Sequence, residues 1–208
     1  MGSIAFVGDT TMWREWAPYT GSRYRIELEQ SFPTLGSQLS LTNAIFDARR
    51  YFGLGRRSTV AVRLLLGGSF GDDKSYFYLG GIDTLRGYNY EDLVGTRIGL
   101  LNLEIRIPLI DALHFAWPIR WTLGGIRGIV FADIGGAWSD WQYGSENPFN
   151  IIVRERNRIR LDDVKAAIGI GMRLRLGLFS VDFAAPRNTD LTQLEPGLKY
   201  HFGLGQAF

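Results

Sequence analysis

Along most of this chain polar and apolar residues alternate with a period of two, and stretches of helical period are scarce. Arg23-Tyr24-Arg25-Ile26-Glu27-Leu28-Glu29 alternates without a break, and Val60, Val62, Leu64 and Leu66 share one side of a second run. Between Arg97 and Pro108, Leu101, Leu103, Ile105 and Ile107 oppose Asn102, Glu104 and Arg106. Later, Ala166, Ile168, Ile170, Met172, Leu174 and Leu176 oppose Ala167, Gly169, Gly171, Arg173 and Arg175. Phe179, Val181 and Phe183 then oppose Ser180, Asp182 and Ala184, and Leu198, Tyr200, Phe202 and Leu204 oppose Lys199, His201, Gly203 and Gly205. The pattern predicts about nine strands, near 3–13, 20–31, 37–50, 57–70, 96–108, 124–138, 164–176, 177–186 and 195–205. In the third the alternation changes phase near Asn43, which predicts a bulge there.

Most of these strands run to ~10–13 residues, enough to cross a bilayer at a tilt. Connections near 14–19, 51–56, 109–123 and 176–178 are short or modest, whereas 71–95, 139–163 and 186–194 are longer and more polar. Short turns at one end and long loops at the other mark an antiparallel transmembrane β-barrel. Alternation alone fits a soluble sandwich equally well, because either fold has one apolar and one polar face. Two features separate them. Glycines share the polar faces with the charges, which suggests close approach by something inside a barrel. Tryptophans fall in pairs near strand ends: Trp13 and Trp16, Trp117 and Trp121, Trp138 and Trp141. Two girdles of amphipathic rings suit the two interfaces of a bilayer. Core tryptophans of a soluble fold are the alternative.

Composition narrows the choice further. Glycine accounts for 26 of 208 residues and aromatics for 13%, while 46% of residues are hydrophobic and the net charge is only +2. Such a chain is neither disordered nor a basic nucleic-acid binder, so no nucleic-acid partner is expected. With no cysteine, and with His114 and His201 as the only histidines, it has no disulfide framework and no multi-histidine metal site. No apolar run reaches the ~18 residues of a transmembrane helix. The N-terminus has no signal-peptide pattern, so either the chain begins inside a larger protein or Met1-Gly2-Ser3 is a cloning scar, and the scar is the expectation.

One enzyme-like match needs weighing. Gly67-Gly68-Ser69-Phe70-Gly71 fits the nucleophile elbow of serine hydrolases, but no helical pattern follows it. It reads as a glycine turn at a strand end, and neither enzymatic activity nor a cofactor is expected. The stronger signal is Gly80-Gly81-Ile82-Asp83-Thr84-Leu85-Arg86-Gly87-Tyr88, where one Arg stands among apolar and glycine neighbours. If buried, its guanidinium needs carboxylate partners, and Glu104 and Asp133 stand on predicted inward faces. A solvated loop Arg with no fixed partner is the plainer alternative.

Gly-Gly-x-x-x-Leu85-Arg86-Gly87-Tyr88 resembles the Val/Leu-Arg-Gly-Phe/Tyr loop motif of the BamA/TamA superfamily of outer-membrane assembly barrels, the bacterial surface antigen family. Asn102-Leu103-Glu104-x-Arg106-x-Pro108 and Phe131-Ala132-Asp133-Ile134-Gly135 resemble the two strands after that loop. Gly169-Ile170-Gly171-Met172-Arg173 and Val181-Asp182-Phe183-Ala184 resemble the next two. The end, with Tyr200, Phe202, Leu204, Gly205 and a terminal Phe208, is similar to the family's closing-strand signal. The likeness covers residues 57–208 best.

The resemblance implies a sixteen-strand parent, of which this single 1–208 unit is the C-terminal half. It implies that loop 80–95 folds into the lumen and that Arg86 meets Glu104 and Asp133 there. It also implies an outer-membrane protein that inserts or translocates client β-barrel or secreted proteins by offering a weakly paired strand edge. A two-partner secretion pore, or a membrane anchor for a fused enzyme, are the rival functions. The outer loop 139–163 ends in Arg154-Glu155-Arg156-Asn157-Arg158-Ile159-Arg160, where contact with lipopolysaccharide phosphates competes with a solvated hairpin. Nine strands alone leave two edges to close in lipid, which predicts either a small closed barrel with loop 80–95 displaced or self-association. The small barrel is the expectation. Leu101, Leu103, Ile105, Ile168, Ile170, Phe179, Val181, Tyr200 and Phe202 should face lipid, and Glu104, Arg106, Arg173, Asp182 and Lys199 should face inward.

Overall fold

The structure is a computed structural model that describes all residues except 15–16, 32–39, 56, 117–119, 140–149, 156–157, 177–178, 191–192, 196, 198 and 205–208. Its strands, in chain order, are β1 (Gly2–Asp9), β2 (Met12–Arg14), β3 (Ala17–Gln30), β4 (Leu41–Leu54), β5 (Ser58–Gly71), β6 (Phe77–Leu79), β7 (Leu93–Gly95) and β8 (Arg97–Ile110). These are followed by β9 (Leu113–Phe115), β10 (Trp121–Leu123), β11 (Ile126–Trp138), β12 (Ile152–Glu155), β13 (Arg158–Leu161), β14 (Lys165–Leu176), β15 (Phe179–Thr189) and β16 (His201–Leu204). There is no helix among the described residues.

Nine strands form one antiparallel meander in the order β1-β3-β4-β5-β8-β11-β14-β15-β16, with β2 paired to the start of β3. Three two-stranded ribbons, β6–β7, β9–β10 and β12–β13, are separate from it. The strand ends Leu54 and Ser58, and Leu176 and Phe179, pair at one end of the sheet, and Arg97, Trp138 and Lys165 lie at the other. Trp13 and Trp121 fall at the turn end and Trp138 at the loop end, while Trp16, Trp117 and Trp141 lie outside the described residues.

The two faces of the sheet are opposite in character, and inverted relative to a water-soluble sheet. On β8, Leu101, Leu103, Ile105 and Ile107 are exposed, whereas Asn102, Glu104 and Arg106 are buried. The same inversion continues on the neighbours. Val130, Ile168, Met172, Phe183 and Phe202 are exposed, and Ile170 is 64% exposed. Asp133, Arg173 and Asp182 are buried, with Asp133 only 2% exposed. Val181 departs from its expected place: it stands on the outward face yet is buried, flanked by its cross-strand partners Leu174 and Leu204. For Phe179 only the strand position is described.

Two further expectations are corrected. The phase change near Asn43 is not a bulge, because β4 pairs from Leu41 to Leu54 with β5 without a register shift. Asn43 faces inward and donates to the Glu29 carboxylate at 2.9 Å, so a polar residue takes an inward place in unbroken pairing. The register shifts instead between Met12 and Trp13 on β2, and where Ile126 opposes Ile110 and Arg127 opposes Pro108, a proline that has no N–H for the ladder. Nor do the described strands close into a small barrel with the loop displaced. No pairing joins β16 to β1 among the described residues, and loop 80–95 covers the inward face. The interior of an eight- to nine-strand barrel is just filled by its own side chains, and here the loop takes that space. Leu79 and Leu85 pack on Ile98 and Leu100, with Leu65, Phe77, Tyr88, Leu93 and Ala137 around them. That cluster, between loop and sheet, is the main apolar core.

Candidate functional site

The β6–β7 ribbon forms the stem of the loop, pairing Phe77 with Gly95 and Leu79 with Leu93. Within it the Gly80 N–H donates to Thr84 Oγ1 at 2.9 Å, the Thr84 hydroxyl donates back to the Gly80 carbonyl at 2.8 Å, and the Gly81 N–H reaches the Tyr88 carbonyl. This self-bonded turn aims Leu85 into the core and Arg86 at the sheet. Gly87 makes the reversal at φ +96°, and a Cβ there would fall 2.2 Å from Asn188 Oδ1, so only glycine fits.

Arg86 is 4% exposed. Its Nε and Nη2 donate to the two oxygens of Asp133, each at 2.6 Å, in the fork geometry peculiar to arginine. Nη1 donates to Glu104 Oε1 at 2.5 Å, and the Arg86 backbone N–H also points at Asp133 Oδ2, at 3.3 Å. The guanidinium lies 3.8 Å from the centroid of the Phe131 ring. That ring has room because its neighbour on β14 is Gly169, where a Cβ would come within 2.5 Å of Phe131. Burial opposes the charge on Arg86, but hydrogen bonding to Asp133 and the nearby carboxylates outweigh it and hold the group above its ordinary pKa. Burial, with Glu195 and Asp92 adding to it, pushes the Tyr88 phenol up to about 12.

The wall that receives Arg86 is itself connected. Asn102 Nδ2 donates to Asp133 Oδ1 at 2.8 Å and to the Thr84 carbonyl at 2.7 Å, joining wall to loop. Arg106 holds the other Glu104 oxygen at 2.8 Å. Register explains the meeting: Asn102 stands opposite Asp133, and Phe131 opposite Glu104. Arg173 bonds Asp182 at 2.5 Å on the far side. On the near side, Arg63 bonds Asp47 at 2.8 Å and the Asp83 carbonyl at 2.9 Å. The structure therefore brings Leu85, Arg86, Gly87, Tyr88, Glu104 and Asp133 into one place.

Sequence reasoning missed Asn102 and Phe131, although Asn102 stands two residues before Glu104 and Phe131 two before Asp133, each on the same strand face as that acid. It also missed Lys199 and His201, which touch Gly87 from far along the chain. Of the closing-strand residues, Tyr200, Phe202 and Leu204 are strongly exposed, and Phe202 stacks near Phe183 with centroids 5.2 Å apart. Gly205 and Phe208 lie outside the described residues. Ser69 lies within β5, where its Oγ accepts the Ser75 N–H at 2.8 Å; the chain then bends without forming a helix, unlike a nucleophile elbow.

A single antiparallel sheet with an exposed apolar face and a buried charged face is the wall of a transmembrane β-barrel. Comparison with known families narrows this. The Omp85 superfamily domain matches residues 14–208. The chain belongs to that superfamily, whose members are outer-membrane factors for the assembly and transport of proteins. No curated protein matches it.

Proposed function

We infer that this chain acts as a BamA/TamA-type assembly wall, corresponding to the C-terminal half of a sixteen-strand barrel. In this reading it acts without covalent chemistry, presenting a strand edge to a client β-strand that adds to the sheet and then moves into lipid. The observation that carries the reading is the docking of loop 80–95, with Arg86 on Asp133 and Glu104. The loop keeps a sheet with free edges in a defined shape. Among the described residues β16 pairs with β15 from Val181↔Leu204 to Ala184↔His201, a short last strand that suits the same reading. Strands β12 and β13 carry Arg154, Arg158 and Arg160, and arginines at such spacing suit phosphates of the outer surface.

The test is the folding of a urea-unfolded eight-stranded barrel into liposomes with and without this protein. The expected result is a several-fold faster appearance of folded client, reduced by Arg86→Ala while the protein itself remains folded. Equal rates in empty and protein-containing liposomes refute the reading.

A further inference from the structure

Among the described residues β16 pairs with β15 at four positions, and its inward side, with Lys199 just before it, touches the loop at three places. Ile82 lies over Gly203, where a Cβ would fall 2.9 Å from Ile82 Cγ2. His201 Nε2 accepts the Gly87 N–H at 3.1 Å, which requires a neutral imidazole with its proton on Nδ1. Lys199, just before the strand, donates from Nζ to the Gly87 carbonyl at 2.7 Å and stands 5.4 Å from the Tyr88 ring centroid. Both polar backbone groups of Gly87 are thus held by the last strand, and Gly87 directly follows Arg86.

We propose that Lys199 and His201 are positioning residues for the Arg86 ion pair, so that β16 and loop 80–95 order and release as one cooperative unit. The coupling is mechanical and reciprocal. Lifting β16 from β15 strips Gly87 of two hydrogen bonds. Withdrawing Arg86 from Asp133 pulls Gly87 from His201 and Lys199. Because coupling between two sites must act equally in both directions, a change at either end has to register at the other. The proposal deepens the assembly reading, and rests on it only in treating β16 as the strand that gives way. A client strand that displaced β16 would then also loosen the Arg86 loop.

Hydrogen exchange of the full chain in detergent micelles tests the coupling from both ends. In a Lys199→Met/His201→Leu double variant, exchange over 80–95 is expected to rise roughly tenfold or more, from the loss of two hydrogen bonds. His201→Gln alone should stay near the wild-type rate, because its amide oxygen can accept the same N–H. Arg86→Gln should speed exchange over 199–204 as well as in the loop, with 97–110 and 126–138 still protected. If Arg86→Gln costs those strands their protection, Gly203→Ala replaces it, since it disturbs only the Ile82 contact and should also speed the loop. Loop exchange at the wild-type rate in the double variant overturns the proposal. So does an Arg86→Gln variant that is folded and loosens the loop alone. Client folding is measured separately, so a coupled protein that does not accelerate its client refutes the assembly reading and leaves the coupling standing.

Discussion

Replacing Ile170 with Arg asks the sheet which solvent its apolar face meets. Ile170 stands midway along β14, between Val130 and Ala185 on its neighbours, and is 64% exposed. On a water-facing sheet, an exposed substitution with no burial and no partner changes stability by about 0.5 kcal/mol or less. At the midplane of a bilayer the same side chain costs ~2–4 kcal/mol, a roughly 30- to 700-fold shift in the folding equilibrium. Leu109→Arg provides the depth control. Leu109 is also exposed, but it lies at the turn end of β8, where the cost in lipid falls to ~0–1 kcal/mol. The assay is a urea titration of each variant refolded into lipid vesicles, followed by tryptophan fluorescence. Equal stability of Ile170→Arg and wild type, or equal losses at the two positions, refutes the membrane assignment of this face.

Other perturbations address the buried face. Arg86→Ala or Asp133→Ala alone should each cost ~3–5 kcal/mol, because each strands a buried charge, and the double variant should cost less than their sum. A coupling energy of zero in that cycle removes the ion pair from the account. Arg86→Lys should recover only part of the loss, since an ammonium cannot bridge both Asp133 oxygens and Glu104; full recovery in the urea titration contradicts the fork geometry. Gly87→Ala should destabilise by more than ~1 kcal/mol through its positive φ and the contact with Asn188, and a wild-type midpoint for it contradicts the turn described for the loop.

Legibility in the sequence followed the distance over which each feature is specified. The face of Glu104 can be read from four neighbours on either side, because a strand puts Leu103 and Ile105 on the opposite face whatever else the chain does. The third strand was misread because its inward residues include Leu41, Ile45 and Tyr51 among the polar ones, so hydrophobicity no longer labels a face. That Arg86 needs an acid follows from charge alone. That Asp133 and Glu104 both serve it depends on the register between β8 and β11, which no local pattern encodes. The Arg63–Asp47 pair went unseen for the same reason, and so did the contacts of Lys199 and His201 with a glycine more than a hundred residues earlier. That β16 and β1 are not paired among the described residues is illegible too, because closure depends on the whole strand set and on what fills the interior.

The inverted sheet also explains why an ion pair, usually an uncertain contributor to stability, can direct this loop. On the inward face Asp133 meets the Asn102 amide from its own wall, while its cationic partner comes from the loop, in Arg86. Glu104, by contrast, is already held by Arg106 and has one oxygen to spare for Arg86. The bare wall is therefore a receptor for one cation, with two carboxylates and an aromatic ring placed to accept a planar fork. Burying an unpaired carboxylate is costly, so water must reach Asp133 whenever the loop is away. Docking exchanges that water for a fitted guanidinium and covers Ile98 and Leu100 with Leu79 and Leu85 in the same step. Apolar burial gives the loop its affinity for the wall, and the charge fixes its register: a loop shifted by one residue along the sheet would place a leucine or glycine against Asp133 and leave the carboxylate bare.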